Sequence, residues 1–348
     1  MKIGFLVNDV LTEHPRAATT VMAHAAASMG HDVYMTGAGD LTYDSEHGIR
    51  AVGRLAPAGK KLQQDRWLER LQSDETETVT FTAEDLDVLY LRYNPGEDVE
   101  ARPWEPDAGI VFGQAAVLAG TLVLSHPFTL SYAVNKMYLE HFPREVRART
   151  LITRSYDEIV RFHEEQKGKI VLKPLHGYGG KDVYLIGEDA ENLRQIVESL
   201  CRSSYIIAQE YLPEAVDGDI RLFLFNGKPL VVDGKYAAIR RINESGDFRS
   251  NMSLGGRPHR AEITPKILEI AEIVGPRLVA DGIFDVGLDI VGDKLVEINA
   301  ISSGGLNAAS RLEGVNFGEA VIRLIERKVA YRTRYGHQLR NRALAVME

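Results

Sequence analysis

Between Val286 and Asn299 the chain reads Val-Gly-Leu-Asp-Ile-Val-Gly-Asp-Lys-Leu-Val-Glu-Ile-Asn, and few folds accommodate such a segment. Asp289, Glu297 and Asn299 interrupt an apolar stretch in which a merely structural strand carries Val or Ile. Val286 to Val291 and Lys294 to Ile298 flank Gly292-Asp293, the pattern of a β-hairpin. Glu297 and Asn299 alternate with Ile298 and so share one strand face. A regular two-residue turn would pair Asp289 with Val296 and send Glu297 and Asn299 to the other face. A three-residue loop or a bulge would instead set Asp289 across from Glu297. Carboxylates are seldom buried unless paired or metal-bound. Three convergent oxygen donors suit Mg²⁺, which takes one or two carboxylates and fills its shell with water and phosphate oxygens. The plainer alternative is an exposed hairpin with its polar residues outward.

The 348 residues suffice for two or three domains, and 45% hydrophobic content is that of an ordinary globular protein. A net charge of -8 argues against general nucleic-acid binding. The single cysteine, Cys201, rules out an internal disulfide and a cysteine metal cluster. No apolar run is long enough to span a bilayer, and the start at Met1 turns polar too soon for a signal peptide. A cytoplasmic location follows as the expectation.

Lys2 to Val7 reads as a buried strand, followed by a helix with Ala18, Val21, Met22, Ala25 and Met29 on one face and a strand at Asp32 to Thr36. This βαβ start predicts an open α/β domain. The first strand is not followed by G-x-G-x-x-G, so a dinucleotide fingerprint is lacking. Strands are expected at Asp87 to Tyr93 and Thr121 to Leu124, with a helix around Ala108 to Leu118. Residues 55 to 82 are polar and pattern-poor and read as a surface excursion. The first boundary falls near residue 125. Beyond it, Ser155-Tyr-Asp-Glu158 matches a capping box, and Asn226-Gly227 between two apolar runs is a strong hairpin signal. The division expected is 1–125, then 126–330 with a nucleotide-binding part of about 130–212 and a metal and substrate lobe of about 213–330, then a tail, 331–348. Arg323 to Arg342 is rich in Arg and Lys and reads as a solvated helical face.

Ile170 to Ile186 is strand, glycine loop, strand, with Lys173 inside the first strand and Gly177, Gly179 and Gly180 in the loop. A Walker A loop would require a helix after the glycines. Glycines let backbone N–H groups approach a phosphate chain closely, and an ammonium within an apolar strand calls for an anionic partner. A Gly-rich hairpin with an edge lysine is equally compatible with this segment taken alone. Ile206-Ile-Ala-Gln-Glu-Tyr-Leu-Pro213 and Asp217-Gly-Asp-Ile-Arg221 are individually weak signals. Their order is the informative part: lysine, glycine loop, Gln-Glu-Tyr-Leu, Gly-Asp-x-Arg, then Asp…Glu-x-Asn.

That order resembles the ATP-grasp superfamily, and the wording is similar to the bacterial glutathione synthetase family. Leu172-Lys-Pro-Leu-His-Gly-Tyr-Gly-Gly180 resembles that family's Leu-Lys-Pro-Leu-Asp-Gly-x-Gly-Gly. Tyr211-Leu-Pro, Asp217-Gly-Asp-x-Arg221, Arg249-x-Asn251, Gly255-Gly-Arg257 and Val286-Gly-Leu-Asp-Ile-x-Gly-Asp stand in family order. The likeness is dense from about residue 130 to 300 and thinner before it, as in Leu91-Arg-Tyr-Asn-Pro95. It implies an α/β chain, α+β in its second part, in which an N-terminal open βαβ domain precedes an ATP-grasp fold. It implies ATP and Mg²⁺ as cofactors, with two ions expected and Mn²⁺ an alternative. Lys136 and Lys173 would hold phosphates, with Gly177, Tyr178, Gly179 and Gly180 folding over them. Gln209, Glu210, Tyr211 and Leu212 would read the adenine edge, with Asp219 near the ribose. Arg221, Arg241 and Arg257 would serve the transferring phosphoryl group or the substrate carboxylate. Asp289, Glu297 and Asn299 would carry the metal. Arg92, Arg249, Asn251, Ser302, Ser303, Gly304 and Gly305 would face substrate. Residues from Glu244 to Pro258, rich in Gly, Ser and Asn, would form a mobile cover.

The reaction implied joins a carboxylate to an amine through an acyl phosphate. The partners expected are therefore small-molecule carboxylate and amine substrates, with no nucleic acid and no membrane; a homo-oligomer is left open. Departures from the family lie where substrate would sit. Ala300-Ile-Ser302-Ser303-Gly304-Gly305-Leu-Asn307 replaces Ser-Pro-Thr, Arg16-Ala-Ala-Thr19-Thr20 replaces Lys-Asp-Ser, and Ser125-His-Pro127 replaces Asn-Lys-Pro. A ligase for another amino acid or peptide is thus the alternative. A nucleotide-binding regulatory protein without catalysis is a third, disfavoured by the intact Asp289, Glu297 and Asn299.

Overall fold

In the computed structural model the described residues are 1–348 apart from 61, 98, 100, 178 and 244–254, together with the side chain of residue 337. The continuous apolar run Lys2–Val7 forms β1, buried on both faces as a central parallel strand requires. The helix α1 (Ala18–Ser28) follows, then β2 (Asp32–Asp44), β3 (Gly48–Leu55), α2 (Gln64–Gln72), β4 (Thr78–Thr82), β5 (Val88–Leu91), α3 (Glu105–Leu118) and β6 (Leu122–Leu124). Their order in the sheet is β4-β3-β2-β1-β5-β6, with β1 parallel to both β2 and β5 and β5 parallel to β6. The surface excursion expected over residues 55–82 is corrected here. Trp67, Leu68 and Leu71 of α2 are buried, and β3 and β4 extend the sheet as an antiparallel edge. The charged residues of Gln64–Gln72 mask an apolar face repeating at three and four residues.

After α4 (Pro127–Ala133) come β7 (Thr150–Thr153), α5 (Tyr156–Glu165), β8 (Ile170–Pro174), β9 (Tyr184–Ile186), α6 (Leu193–Leu200) and β10 (Ile206–Glu210). Ser155 Oγ accepts from the Glu158 N–H at 3.4 Å, capping α5 as its sequence predicts. The antiparallel sheet β7-β10-β8-β9 carries its own core, with Ile159, Leu172, Val197 and Ile206 at its centre.

The next sheet is built from β11 (Asp219–Phe225), β12 (Lys228–Pro229), β15 (Ala238–Ile242) and β16 (Arg257–His259), then, after α7 (Pro265–Asp281), from β17 (Asp285–Val291) and β18 (Lys294–Asn299); β13 (Val231–Val232) and β14 (Lys235–Tyr236) make a separate two-stranded sheet. The main path of the larger sheet runs β16-β15-β11-β17-β18. Asn226 and Gly227, at φ 52 and 75, make the two-residue turn that joins β11 to β12. A side chain at Gly227 would strike the Gly275 carbonyl of α7 at 2.7 Å, so glycine is required there.

Three helices close the chain: α8 (Leu306–Glu313), α9 (Phe317–Tyr335) and α10 (Asn341–Leu344). The basic stretch is a solvated face on one side only. Phe317, Val321, Ile322 and Ile325 of α9 join the core of the first domain, and Leu344, Ala345 and Val346 are buried. Lys328 is fully buried, its Nζ donating to Asn226 Oδ1 and the Met347 carbonyl, each at 2.7 Å. Asn341 closes the edge of β6, accepting from the Val123 N–H at 2.8 Å and donating to its carbonyl at 3.0 Å. Among the described residues no helix is long and apolar enough to cross a membrane.

Candidate active site

The β17–β18 hairpin pairs Val291 with Lys294 and Ile290 with Leu295, and the register then slips so that Asp289 faces Glu297. Val296 is the extra residue of this bulge, and it restores the shared face that a regular turn would destroy. Asp289 is buried, and Asn299 Nδ2 donates to its Oδ2 at 3.1 Å. Arg221 grips the same carboxylate in a two-pronged pair, Nε to Oδ1 and Nη2 to Oδ2, both at 2.7 Å. Arg241 adds a contact to Oδ2 at 2.8 Å. Burial alone would raise Asp289, but the two guanidiniums hold it below the usual carboxylate range.

Glu297 stands beside a different cation, Lys136, at 3.3 Å. Burial opposes its charge, and Lys136, Lys173 and Arg221 outweigh that opposition, so its carboxyl too is lowered. Lys136 Nζ also donates to the carbonyl of Gly177 in the glycine loop. Lys173 Nζ donates to Gln209 Oε1 at 3.1 Å and to the Val296 carbonyl at 3.3 Å. Burial depresses Lys173 to about 8, with Lys136 adding to the effect and Glu297 pulling the other way. Two ammonium groups held this close form a site prepared for an anion.

These groups wall a cleft between the two C-terminal sheets. One cavity, of ≈ 140 Å³, lies under the glycine loop and is lined by Gly177, Gly179, Gly180, Glu210, Tyr211 and Leu212. Glu210 directs its carboxylate away, accepting from the Arg149 N–H at 2.6 Å, so the chain beyond β10 is what faces the cavity. A second cavity, of ≈ 270 Å³, adjoins it and shares Lys136, Gly179, Arg241 and Glu297. Asn94, Ala133, Asn299, Ser302 and Gly304 complete its wall. The juncture of the two cavities is thus where Lys136, Arg241 and Glu297 meet.

The donor set fits a hard cation: two carboxylates and an amide oxygen on one face, among oxygen ligands only. Glu297 and the Oδ1 atoms of Asn299 and Asp289 are the atoms available, since three donors already crowd Asp289 Oδ2. Among the described residues no three of His, Cys, Asp or Glu come together as a metal cluster, so a cation held here would need the amide oxygen of Asn299 as well.

Several expected site residues sit elsewhere than their roles require. Arg92 is buried and paired with Asp285 at 2.6 Å, and it donates to the Ser303 carbonyl at 3.2 Å; it ties the first domain to the sheet that holds β17 and is not among the residues lining the cleft. Asp219 lines the glycine-loop cavity and gives its carboxylate to Arg241, which donates Nε to Oδ1 at 2.8 Å, so it orients that arginine. Ser303 is buried and donates to the Asn299 carbonyl at 2.7 Å, and Gly305, at φ 110, caps α8 against Ile239. Arg257 is exposed on β16. Tyr178, Arg249 and Asn251, with most of the expected cover, lie outside the described residues.

Asn94 and Pro95, overlooked in favour of Arg92, follow the carboxyl end of a parallel strand, where open α/β sheets bind ligands. Asn8 fixes that turn, accepting from the Asn94 N–H at 2.7 Å and donating to its carbonyl at 2.9 Å. Gly218, inside the Asp217-Gly-Asp-x-Arg221 motif, has a backbone role. At φ 85, its added Cβ would lie 2.0 Å from the Arg241 carbonyl, so the glycine lets β11 and β15 close around the Asp219–Arg241 pair.

Residues 135–314 match the prokaryotic glutathione synthetase ATP-grasp domain, and residues 1–146 match the N-terminal domain of the same family. Glutathione synthetase of Synechococcus elongatus is 31% identical over 341 residues, 94% of this chain and 98% of that protein. The Yersinia pestis glutathione synthetase is 31% identical over 315 residues, 87% of this chain and 89% of its own. Among solved structures, D-cycloserine synthetase DcsG superposes with a TM-score of 0.62 at 15% identity, covering 92% of this chain and 99% of that one. The ATP-grasp ligase PsnB, complexed with minimal precursor, gives 0.58 at 17%, covering 93% and 98%. At such identities the structural likeness establishes the fold, which is ATP-grasp.

Proposed function

Because the chain belongs to the prokaryotic glutathione synthetase family, and so is an ATP-dependent ligase, we propose that it joins γ-glutamylcysteine to glycine. A carboxylate is a poor acyl donor because its leaving group would be oxide. Transfer of the terminal phosphoryl of ATP to the cysteinyl carboxylate gives an acyl phosphate and ADP. The glycine amine then attacks the acyl carbon, phosphate leaves, the amide bond forms and a proton is released.

One observation carries the reading. The bulge sets Glu297 opposite Asp289, at the juncture of a glycine-loop cavity and a second cavity lined by Asn94 and Ser302. In this reading Lys136 and Lys173 bind the phosphates, and the backbone from Glu210 to Leu212 meets the adenine. Arg241, oriented by Asp219, and Arg221 both line the second cavity and would serve the charge that develops on the transferring phosphoryl group. Glu297, Asn299 and Asp289 would hold Mg²⁺, with two ions as in our sequence-based expectation. Bound there, the metal would neutralise charge on the phosphate oxygens. The same oxygen donors accept Mn²⁺.

The acid substrate occupies the second cavity, and glycine enters beside Ser302 and Gly304. A ligase for another acid and amine is the second reading, favoured by the altered residues around Ser302 and Arg16. ADP release measured over a panel of acids and amines separates the two. The first reading expects γ-glutamylcysteine with glycine to exceed every other pair, alanine and serine included. Silence with that pair, and turnover with another, would give the second.

A further inference from the structure

The basic stretch from Arg323 to Arg342 has no place in the reading above, yet its C-terminal half walls a cavity of its own. That cavity measures ≈ 500 Å³ and shares no lining residue with the cleft. Ligand pockets typically run from about 300 to 1,000 Å³, apolar with a few fixed polar groups. Leu122 and Leu344 supply apolar wall, and Leu118 and Phe128 form an exposed lip, 80% and 42% accessible.

Arg332, Arg340 and Arg342 all reach this space, and no acidic residue is among its described lining. Arg342 is engaged, donating to Asp281 at 3.1 Å. The side chains of half-buried Arg332 and exposed Arg340 make no hydrogen bond or ion pair among the described residues. Burial lowers Arg332, and Asp87 offsets that only through its field. His126, pushed down to about 4 by burial and Arg342, is neutral at pH 7, so the arginines set the charge of the cavity. Half-buried Arg332 loses hydration against this apolar wall; an anion offsets that loss and suits the planar forks of the arginines that line the space.

We propose that this cavity binds a small organic anion, its carboxylate, sulfonate or phosphate held between Arg332 and Arg340 and its apolar body against Leu122, Phe128 and Leu344. The site stands apart from the ligase reaction, so its test is a binding measurement on the full chain with ATP and Mg²⁺ saturating. The probe is 1-anilinonaphthalene-8-sulfonate, followed by fluorescence, with uncharged N-phenyl-1-naphthylamine as its counterpart. Saturable binding of the sulfonate, at least about tenfold tighter than the uncharged ring, is expected. The pair Arg332→Gln and Arg340→Gln should weaken it about tenfold with ADP release unchanged. Leu118→Glu, on the exposed lip, should do the same by repulsion. Absence of saturable binding, equal affinity for the uncharged probe, or undiminished binding in both variants would overturn the proposal. So would release of the probe by ATP and Mg²⁺, which would place it in the cleft.

Discussion

A carboxylate offers about four acceptor positions, and Asp289 has used most of them on Arg221, Arg241 and Asn299. Glu297 has only Lys136 as a direct ion-pair partner among the described residues, so it is the carboxylate with room for a metal. Glu297→Gln keeps the shape and removes the charge. We expect turnover to fall by at least about a hundredfold while the melting temperature without nucleotide stays put. Unaltered ADP production at saturating Mg²⁺ would count against the metal role. Arg92 makes the opposite case. Replacing it with Met strands Asp285 as a buried unpaired charge, a loss of roughly 3–5 kcal/mol. Urea unfolding should show that loss; a normal midpoint with a raised KM for the acid would return Arg92 to the substrate. Nothing in the sequence distinguishes such a buried arginine from a substrate ligand, because its partner lies far along the chain at Asp285.

At the level of elements, alternation carried the reading where a strand has one polar face. The β17–β18 hairpin was legible, bulge or longer loop included, because three polar residues had to converge. The helix α2 was not, since its apolar side is three residues wide and hidden among charges. The β2 strand also runs well past Thr36: Gly37-Ala-Gly-Asp40 looks like a loop and breaks the register with β3, and pairing on either side, at Thr36 and again from Leu41 to Asp44, keeps it within the strand. Tertiary pairing overrides local preference there. Gly218 is the element-scale test. Gly218→Ala puts a methyl into the Arg241 carbonyl and forces an unfavourable φ, so β11 and β15 must part. Lower thermal stability together with a raised KM for ATP is expected. A variant that melts normally and binds ATP normally would show that the tight closure is unnecessary.

Across the whole molecule, the C-terminal helices lock the first domain to the sheet that holds β11 and β15, and Lys328 is a group sensitive to pH. Burial lowers it to about 7 from an ordinary 10.5, with Glu348 opposing. The unfolded chain therefore binds the extra proton between those values, so stability rises with pH above 7 and is lost as pH falls through 7. From pH 7 to 9 Lys328 should contribute a gain of about 2 kcal/mol by urea unfolding, and Lys328→Met should remove that part, leaving the smaller rise that Lys173 supplies. A wild-type profile as flat as the variant's would mean the amine is not desolvated. The domain order and the lysine–glycine-loop–hairpin constellation were legible in the sequence; the docking of the basic tail was not, since its apolar residues Leu344, Ala345 and Val346 are too few to signal burial. The account as a whole rests on phosphoryl transfer to a carboxylate in the Asp289–Glu297–Asn299 cleft. Supplying γ-glutamylcysteine labelled with ¹⁸O in its cysteinyl carboxylate, with glycine, ATP and Mg²⁺, tests that directly by mass spectrometry of the released phosphate. We predict one ¹⁸O in phosphate for each amide formed; amide formed with unlabelled phosphate would contradict the acyl phosphate and the site built around it.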